Sequence, residues 1–225
     1  MIFKKISQNI WGISDVIWVF LLRLMFVYLF SKIVLPLISG ISPRLVEILD
    51  RVILLSLTFY FVSRKSSIDK LGFHFNHLGR QVLYGVIGGG FLFALAEGTQ
   101  RALVAFLVAD ISTNPLVKAA AGAKNFSDLL WPLLIAGLLV PFTEEVYYRG
   151  MALRAFANRW GWFLGIIISA LFFSLAHLSG IWFVQIAAVG VGLAVIYSIT
   201  GSLLPGIIAH GLVNSSRLLM VYFSS

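Results

Sequence analysis

Cysteine is absent from the sequence, and charged residues are scarce. Without a thiol, the chain has no disulfide framework, no thiol nucleophile and no cysteine ligand for a metal. Only 12% of the residues are charged and 60% are hydrophobic, whereas a soluble globular domain usually has about 25% charged and about 45–50% apolar residues. The scarcity of charge excludes an ordinary soluble domain and indicates a polytopic membrane protein.

Several other signatures are missing as well. The sequence has no low-complexity tract, internal repeat or linker, so a transporter built from repeats has no support. The HExxH motif of the commonest zinc proteases is also absent. The net charge of +8 does not form a groove of basic and aromatic residues. We therefore assign it to cytoplasmic loops and expect a lipid bilayer, not a nucleic acid, as a partner.

Long apolar runs predict an all-α bundle of about seven transmembrane helices, since one crossing takes roughly 20 apolar residues. An eighth helix hidden in the long third run is the alternative. Breaker-rich stretches such as SRKSSIDK and NRWGW separate the runs. We divide the chain into residues 1–128, with about three helices, and residues 129–225, with about four. The predicted spans are about 16–38, 45–62, 82–109, from 129 onward, 161–178, 181–199 and 203–223.

The distribution of lysine and arginine predicts the orientation, because cytoplasmic loops carry an excess of both. Three basic groups fall on one side if seven spans alternate, which places the N-terminus in the cytoplasm and the C-terminus outside. The groups are Lys4 and Lys5; Arg64, Lys65, Lys70 and Arg80; and Arg149, Arg154 and Arg159.

Two carboxylates and an arginine lie at the end of the apolar run LLWPLLIAGLLV, within the stretch PFTEEVYYRG. On a helix, Glu145 and Arg149 are four residues apart and can form an ion pair. Glu144 lies about 100° around the helix from Glu145. We therefore expect Arg149 to neutralise Glu145 and Glu144 to be left available as a general base. The alternative is a capped helix end at the lipid headgroups, with all three groups solvated.

Two further polar pairs occur in later spans, each at a spacing of four residues. FFSLAH places Phe173 over His177, and HGLVN puts His210 and Asn214 on one helix face. Charged or polar groups inside a membrane are by default functional. The alternatives are a hydrogen-bonded histidine at the membrane interface and hydrogen bonding between helices, which nearby glycines would permit.

Together these residues can support hydrolysis. A glutamate and a histidine can activate water, while a second histidine and an asparagine can hold the developing oxyanion. The same side chains can also form a zinc site from Glu144, His177 and His210, with an open position for water. Residue spacing does not separate the two chemistries.

Other charged residues lie in the N-terminal half. Glu97 and Arg101 are four residues apart in the third span, where we expect them to neutralise each other in a structural role. Asp15 and Arg23, in the first span, are expected at the membrane interface.

The motifs EEVYYR, FSLAH and HGLVN resemble the EExxxR, FxxxH and HxxxN patterns of the CPBP family of intramembrane proteases. That family includes the type II CAAX prenyl endopeptidases and the bacterial Abi-like bacteriocin-processing or immunity proteins. The resemblance covers about residues 129–223. The preceding stretch IDKLGFHF is similar to a Leu-Gly element that often precedes the family's domain.

The resemblance implies a role for each matching residue and a membrane-embedded endopeptidase as the whole. It favours a glutamate-type mechanism without a cofactor, because asparagine is a poor zinc ligand. The family is commonly labelled metal-dependent, so Zn²⁺ on Glu144, His177 and His210 is the alternative. The implied roles are general base for Glu144, water activation for His177, oxyanion hole for His210 and Asn214, ordering of the site for Glu145 and Arg149, and packing on His177 for Phe173.

The expected substrate is a membrane-associated or lipidated peptide or protein. We expect the protein in the cytoplasmic membrane of a bacterium or archaeon, with its active site open to the cytoplasmic side. Two other functions stay open. One is a non-enzymatic bacteriocin-immunity or scaffold protein of the same fold, and the other is a small transporter that uses the polar cluster as an ion path.

Overall fold

The computed structural model describes residues 11–37, 42–107 and 110–224. Lys4 and Lys5, used above to predict the orientation, lie outside these ranges. The described residues form a helical bundle and contain no strand. We label its helices α1 (Ile13–Leu37), α2 (Pro43–Ser63), α3 (Leu78–Leu107), α4 (Pro115–Ala121), α5 (126–160), α6 (162–175), α7 (Phe183–Thr200) and α8 (Leu203–Ser224).

Four helical segments are long and apolar enough to cross a membrane, and the protein is a helical membrane protein. The predicted helical class is confirmed, but the predicted number of seven spans is not. Helix α2 carries four charged residues, and a polar stretch interrupts α8. The fourth and fifth predicted spans join into one segment. The four segments are Ile13–Leu37, Leu78–Leu107, Phe126–Leu175 and Gly180–Thr200.

The segment Phe126–Leu175 is divided at one residue. Gly161 has φ 81° and ψ 164°, which is not a helical conformation and is one that glycine adopts without steric cost. It separates α5 from α6 at the stretch NRWGW, where the sequence predicts a break. The two halves can therefore take different directions.

Helix α5 is irregular around Pro141. Two π-helical stretches, Ile135–Leu139 and Glu145–Leu153, lie on either side of this proline. Proline has no N–H to donate and its ring crowds the preceding turn, so a regular α-helix is disfavoured here. A π-helical turn is wider and changes the direction in which side chains project. Glu144 and Glu145 lie at the junction, and both are buried in the bundle.

The backbones of α5 and α8 approach each other closely at two glycines. A Cβ atom added at Gly211 would overlap the backbone carbonyl oxygen of Gly137. Nearby, the amide of Asn214 donates to the carbonyl oxygen of Ala136 at 2.8 Å. The missing side chain at residue 211 therefore sets the distance at which polar side chains of α8 meet α5.

Replacing Gly211 with alanine is expected to destabilise the protein. The added methyl group meets backbone rather than a side chain that can rotate away, and overpacking of this kind costs about 1–3 kcal/mol. The thermal unfolding temperature in detergent measures the effect. Gly98→Ala is the matched control, since a Cβ atom there has no neighbour within 4 Å. Equal melting temperatures for the two variants would show that the helices are not tightly packed at Gly211.

The IDKLGFHF stretch, in the loop before α3, is hydrogen-bonded to the C-terminal helices. Residues Ile68–Leu71 form a short 3-10 helix. The Tyr197 hydroxyl donates to the carbonyl oxygen of Leu71 at 2.9 Å, and the Leu203 N–H donates to that of Gly72 at 3.0 Å. This loop therefore ties the second and third helices to the corner between α7 and α8.

Helices α1 and α2 pack on α5 through a buried apolar core. Trp11 donates to the carbonyl oxygen of Met151 at 2.8 Å, and the Tyr147 hydroxyl donates to that of Val16 at 2.8 Å. The division of the chain into residues 1–128 and 129–225 stays a prediction. Side chains from both parts nevertheless meet in the cavity described next.

Candidate active site

A cavity of about 430 Å³ lies between the helices. Its wall contains Glu144, His177, His210 and Asn214, which the sequence places in three separate motifs. The same cavity is bounded by side chains of α2 and α3, from outside the region of the motifs. Folding therefore brings the predicted catalytic side chains to one space.

Glu144 and His177 face each other across a short gap. Glu144 Oε2 lies 3.9 Å from His177 Nε2, and this buried oxygen has no hydrogen-bond partner among the described residues. His177 Nδ1 lies 2.7 Å from the carbonyl oxygen of Phe173. A carbonyl only accepts, so Nδ1 carries a hydrogen and a neutral ring presents its lone pair at Nε2. Two hydrogen-bond acceptors, Glu144 Oε2 and His177 Nε2, thus face the gap between them.

Glu145 is at the centre of a second, fully buried cluster. Its Oε1 lies 3.1 Å from Arg149 Nη1 and 2.9 Å from His210 Nδ1. The predicted pairing of Glu145 with Arg149 is present in this geometry. Arg149 also donates to the carbonyl oxygen of Gly190 on α7 at 3.3 Å. The cluster thereby connects α5, α7 and α8.

Phe173 lies between the two clusters. Its ring centroid is 4.6 Å from that of His177 and 5.9 Å from that of His210. Arg149 Cζ lies 4.3 Å from the same ring, a cation–π distance. The aromatic ring therefore separates the His177 side of the site from the buried ion pair and restricts both imidazoles.

Glu144, which the sequence predicts to be left available as a general base, has a cationic partner outside the motifs. Arg51, on α2, lies with Nη1 3.0 Å from Glu144 Oε1. Behind it, Asp50 accepts two hydrogen bonds from Arg23, at 2.7 and 2.6 Å. The motif analysis missed Asp50 and Arg51, although charge inside the predicted second span was a signal that could have found them. Arg23, expected at the membrane interface, pairs with Asp50 instead.

A further ion pair lines the cavity near its α3 wall. Arg217 on α8 donates to Glu97 at 2.6 Å and also to Gln100. The predicted pairing of Glu97 with Arg101 is therefore wrong. Arg217 lies three residues after Asn214, so it belongs to the same face of α8 as the HGLVN pair. Asp15, expected at the membrane interface, is buried and pairs with Lys65 at 2.8 Å.

The arrangement does not fit the zinc set of Glu144, His177 and His210. A catalytic zinc ion takes three protein ligands at about 2.0–2.2 Å, so the ligand atoms must converge. In the part of the chain that the structure describes, no three histidine, aspartate or glutamate side chains are grouped closely enough to hold an ion.

Comparison with known proteins points to one family. Residues 126–216 match the family model described as type II CAAX prenyl endopeptidase Rce1-like. An uncharacterized 24.3 kDa protein of Escherichia coli is 32% identical over 69 residues, 30% of this chain and 32% of that protein. The match thus spans about a third of the length of this curated relative. No solved structure matches the chain.

Proposed function

Through residues 126–216 the chain belongs to the type II CAAX prenyl endopeptidase family, and on this premise we propose that it is an intramembrane endopeptidase. It hydrolyses a peptide bond in a membrane-associated or lipidated peptide. The observation that carries the proposal is the gap between Glu144 Oε2 and His177 Nε2, two acceptor atoms 3.9 Å apart in a cavity between apolar helices.

The gap suits a nucleophilic water molecule. Water bound there donates one hydrogen to Glu144 and one to His177, which leaves its lone pairs directed into the cavity. Glu144 takes a proton as the water oxygen attacks the peptide carbonyl carbon. Glu144 then returns this proton to the nitrogen of the leaving amine as the C–N bond breaks.

The oxyanion of the tetrahedral intermediate is held by His210 and Asn214. One hydrogen of Asn214 Nδ2 is used by Ala136, and the other is free to donate. His210 Nδ1 is bonded to Glu145, so a donating Nε2–H requires one extra proton on the Glu145–His210 pair. With that proton, Glu145, Arg149 and His210 together carry a charge of +1, which favours a developing negative charge.

Asn214→Ala is expected to lower kcat by about 10²–10³-fold, the usual cost of removing one oxyanion donor. KM should change little, because the oxyanion does not exist in the bound substrate. Ser216→Ala, two residues further along the same helix, is the control and should keep wild-type kcat. A purely structural role for Asn214 would instead give a loss that follows the fraction of folded protein.

The proposal is tested by cleavage of a library of membrane-proximal peptides, prenylated and unprenylated, by purified protein in detergent. We expect cleavage that persists with a strong chelator. Loss with the chelator and recovery with zinc would replace the glutamate mechanism by a metal-dependent one. No cleavage of any peptide would favour the binding-only immunity or scaffold function. Ion flux in liposomes without cleavage would favour transport.

The protein is an integral membrane protein, and we propose its topology as well. We propose that the N-terminus and the mouth of the cavity face the cytoplasm of a bacterium or archaeon, a topology that the lysine and arginine pattern of the sequence favours. Seven spans stay the proposed number. An impermeant thiol reagent applied to intact cells tests the orientation: a cysteine introduced at residue 124 should be labelled and one at residue 66 should not, and the chain has no native cysteine that would react.

A further inference from the structure

Arg51 connects the N-terminal helices to the proposed general base. Its Nη1 lies 3.0 Å from Glu144 Oε1, across 93 residues of sequence. The arginine is on α2 and lies outside residues 126–216, the range that matches the family model. The contact therefore adds a residue to the site that neither the motifs nor the family match contains.

Arg51 is itself held by a second ion pair. Asp50 Oδ2 lies 3.7 Å from Arg51 Nε, and Arg23 on α1 binds both oxygens of Asp50 in a fork. A two-point contact between arginine and carboxylate restricts the geometry as well as balancing charge. All three side chains are about 15–16% exposed, so solvent screens them only in part. Helices α1 and α2 are thus linked to Glu144 by alternating charges.

The contact fixes the orientation of the Glu144 carboxylate, with one oxygen on Arg51 and the other toward His177. The last torsion of a glutamate side chain is broad and does not by itself fix the carboxylate plane. With Oε1 bound to Arg51, Oε2 is the oxygen that faces His177 Nε2 at 3.9 Å. Without Arg51, the carboxylate can rotate and the gap for water loses its shape.

We propose that Arg51 is a positioning residue for Glu144, with Asp50 and Arg23 orienting its guanidinium group. This inference rests on the proposed function, because it assigns Arg51 a part in the activation of water. Arg51 acts through Glu144 and touches no reacting atom. A shift of about 1 Å in a catalytic group can cost on the order of 10²-fold in rate, which sets the scale of the effect.

The kinetic test compares Arg51→Gln and Arg51→Lys with the exposed control Arg101→Gln. We expect Arg51→Gln to lower kcat by about 10–100-fold with KM within about twofold, and Arg51→Lys to retain an intermediate kcat. Guanidinium ion at low, non-denaturing concentration should restore part of the lost kcat in Arg51→Gln. It should not do so in Glu144→Gln, and equal concentrations of sodium chloride should restore nothing. A wild-type kcat in Arg51→Gln overturns the proposal.

A second measurement needs no substrate. Melting temperatures of Arg51→Gln, Glu144→Gln and the double variant form a cycle. We expect the decrease in melting temperature of the double variant to be much smaller than the sum of the decreases of the two single variants. In the double variant neither charge is left without its partner. Additive losses would overturn the proposal, since the two side chains would not interact.

The two measurements separate this inference from the proposed function. If the wild type cleaves no peptide, the proposed function fails and the positioning role of Arg51 in water activation fails with it, even when the melting cycle shows coupling. If the wild type cleaves and Arg51→Gln cleaves equally well, the positioning role alone fails.

Discussion

Glu144→Gln is expected to lower kcat for peptide cleavage by about 10²–10⁴-fold, the range for removal of a general base. Glutamine keeps the size of the side chain and an oxygen that can accept from Arg51. It cannot take a proton from water. Glu144 Oε2 faces the cavity with no described partner, so the substitution removes a base without breaking a strong contact of that oxygen.

The control for this substitution is Asp69→Asn, the same exchange of acid for amide at an exposed carboxylate outside the cavity. It should retain kcat within about twofold, since surface substitutions seldom disturb the fold. Both variants are assayed well below their own melting temperatures, so that the comparison is made between folded proteins. Full activity in a folded Glu144→Gln protein would exclude Glu144 as the base.

Arg149→Met is expected to cause the largest loss of stability among single substitutions at the site. Arg149 is fully buried, and its partner Glu145 is 1% exposed. Removing one member of a buried ion pair costs about 3–5 kcal/mol, because the other charge is left unpaired. For a chain of this length the melting temperature should fall by about 10 °C.

Two variants show whether the loss comes from the unpaired charge. Arg101→Met replaces an exposed arginine and should leave the melting temperature nearly unchanged. Glu145→Gln combined with Arg149→Met should recover much of the stability, since neither charge remains. A double variant as unstable as Arg149→Met would contradict this explanation and indicate that packing of the arginine stem dominates.

The local part of the site was predictable from sequence, and the distant part was not. Glu145 and Arg149 are four residues apart, so helix geometry alone brings them together. The partner of Glu144 is 93 residues away and the partner of Glu97 is 120 residues away. Such pairs depend on how the helices pack against each other. The spacing of residues along one helix carries no information about that packing.

The helical class followed from the apolar runs, but the number of spans did not. Apolar composition identifies α1, α3 and α7 because few charged residues interrupt them. Helix α2 is apolar enough to be predicted as the span 45–62, but it is not one of the four segments because it carries four charged residues, including Arg51, which enters the site. The fourth and fifth predicted spans form one long segment because the break between α5 and α6 is a single residue, Gly161, and not a loop.

The predicted spans put Glu144 near the cytoplasmic end of the fourth span and His177 near the opposite end of the fifth. In the structure α6 ends at residue 175, and His177 occupies the turn that follows. The imidazole is 28% exposed, against 6% for the Glu144 side chain. A residue in a turn, rather than in the helix, can thus reach a buried carboxylate.

The central claim is that Glu144 and His177 activate water to hydrolyse a peptide bond. The most direct measurement is mass spectrometry of a membrane-peptide library incubated in ¹⁸O-labelled water with wild-type protein or Glu144→Gln, each in lipid nanodiscs. The proposed mechanism predicts new peptide C-termini that carry one ¹⁸O atom with the wild type and are absent with Glu144→Gln. New C-termini that form equally with both proteins, or with neither, would contradict it.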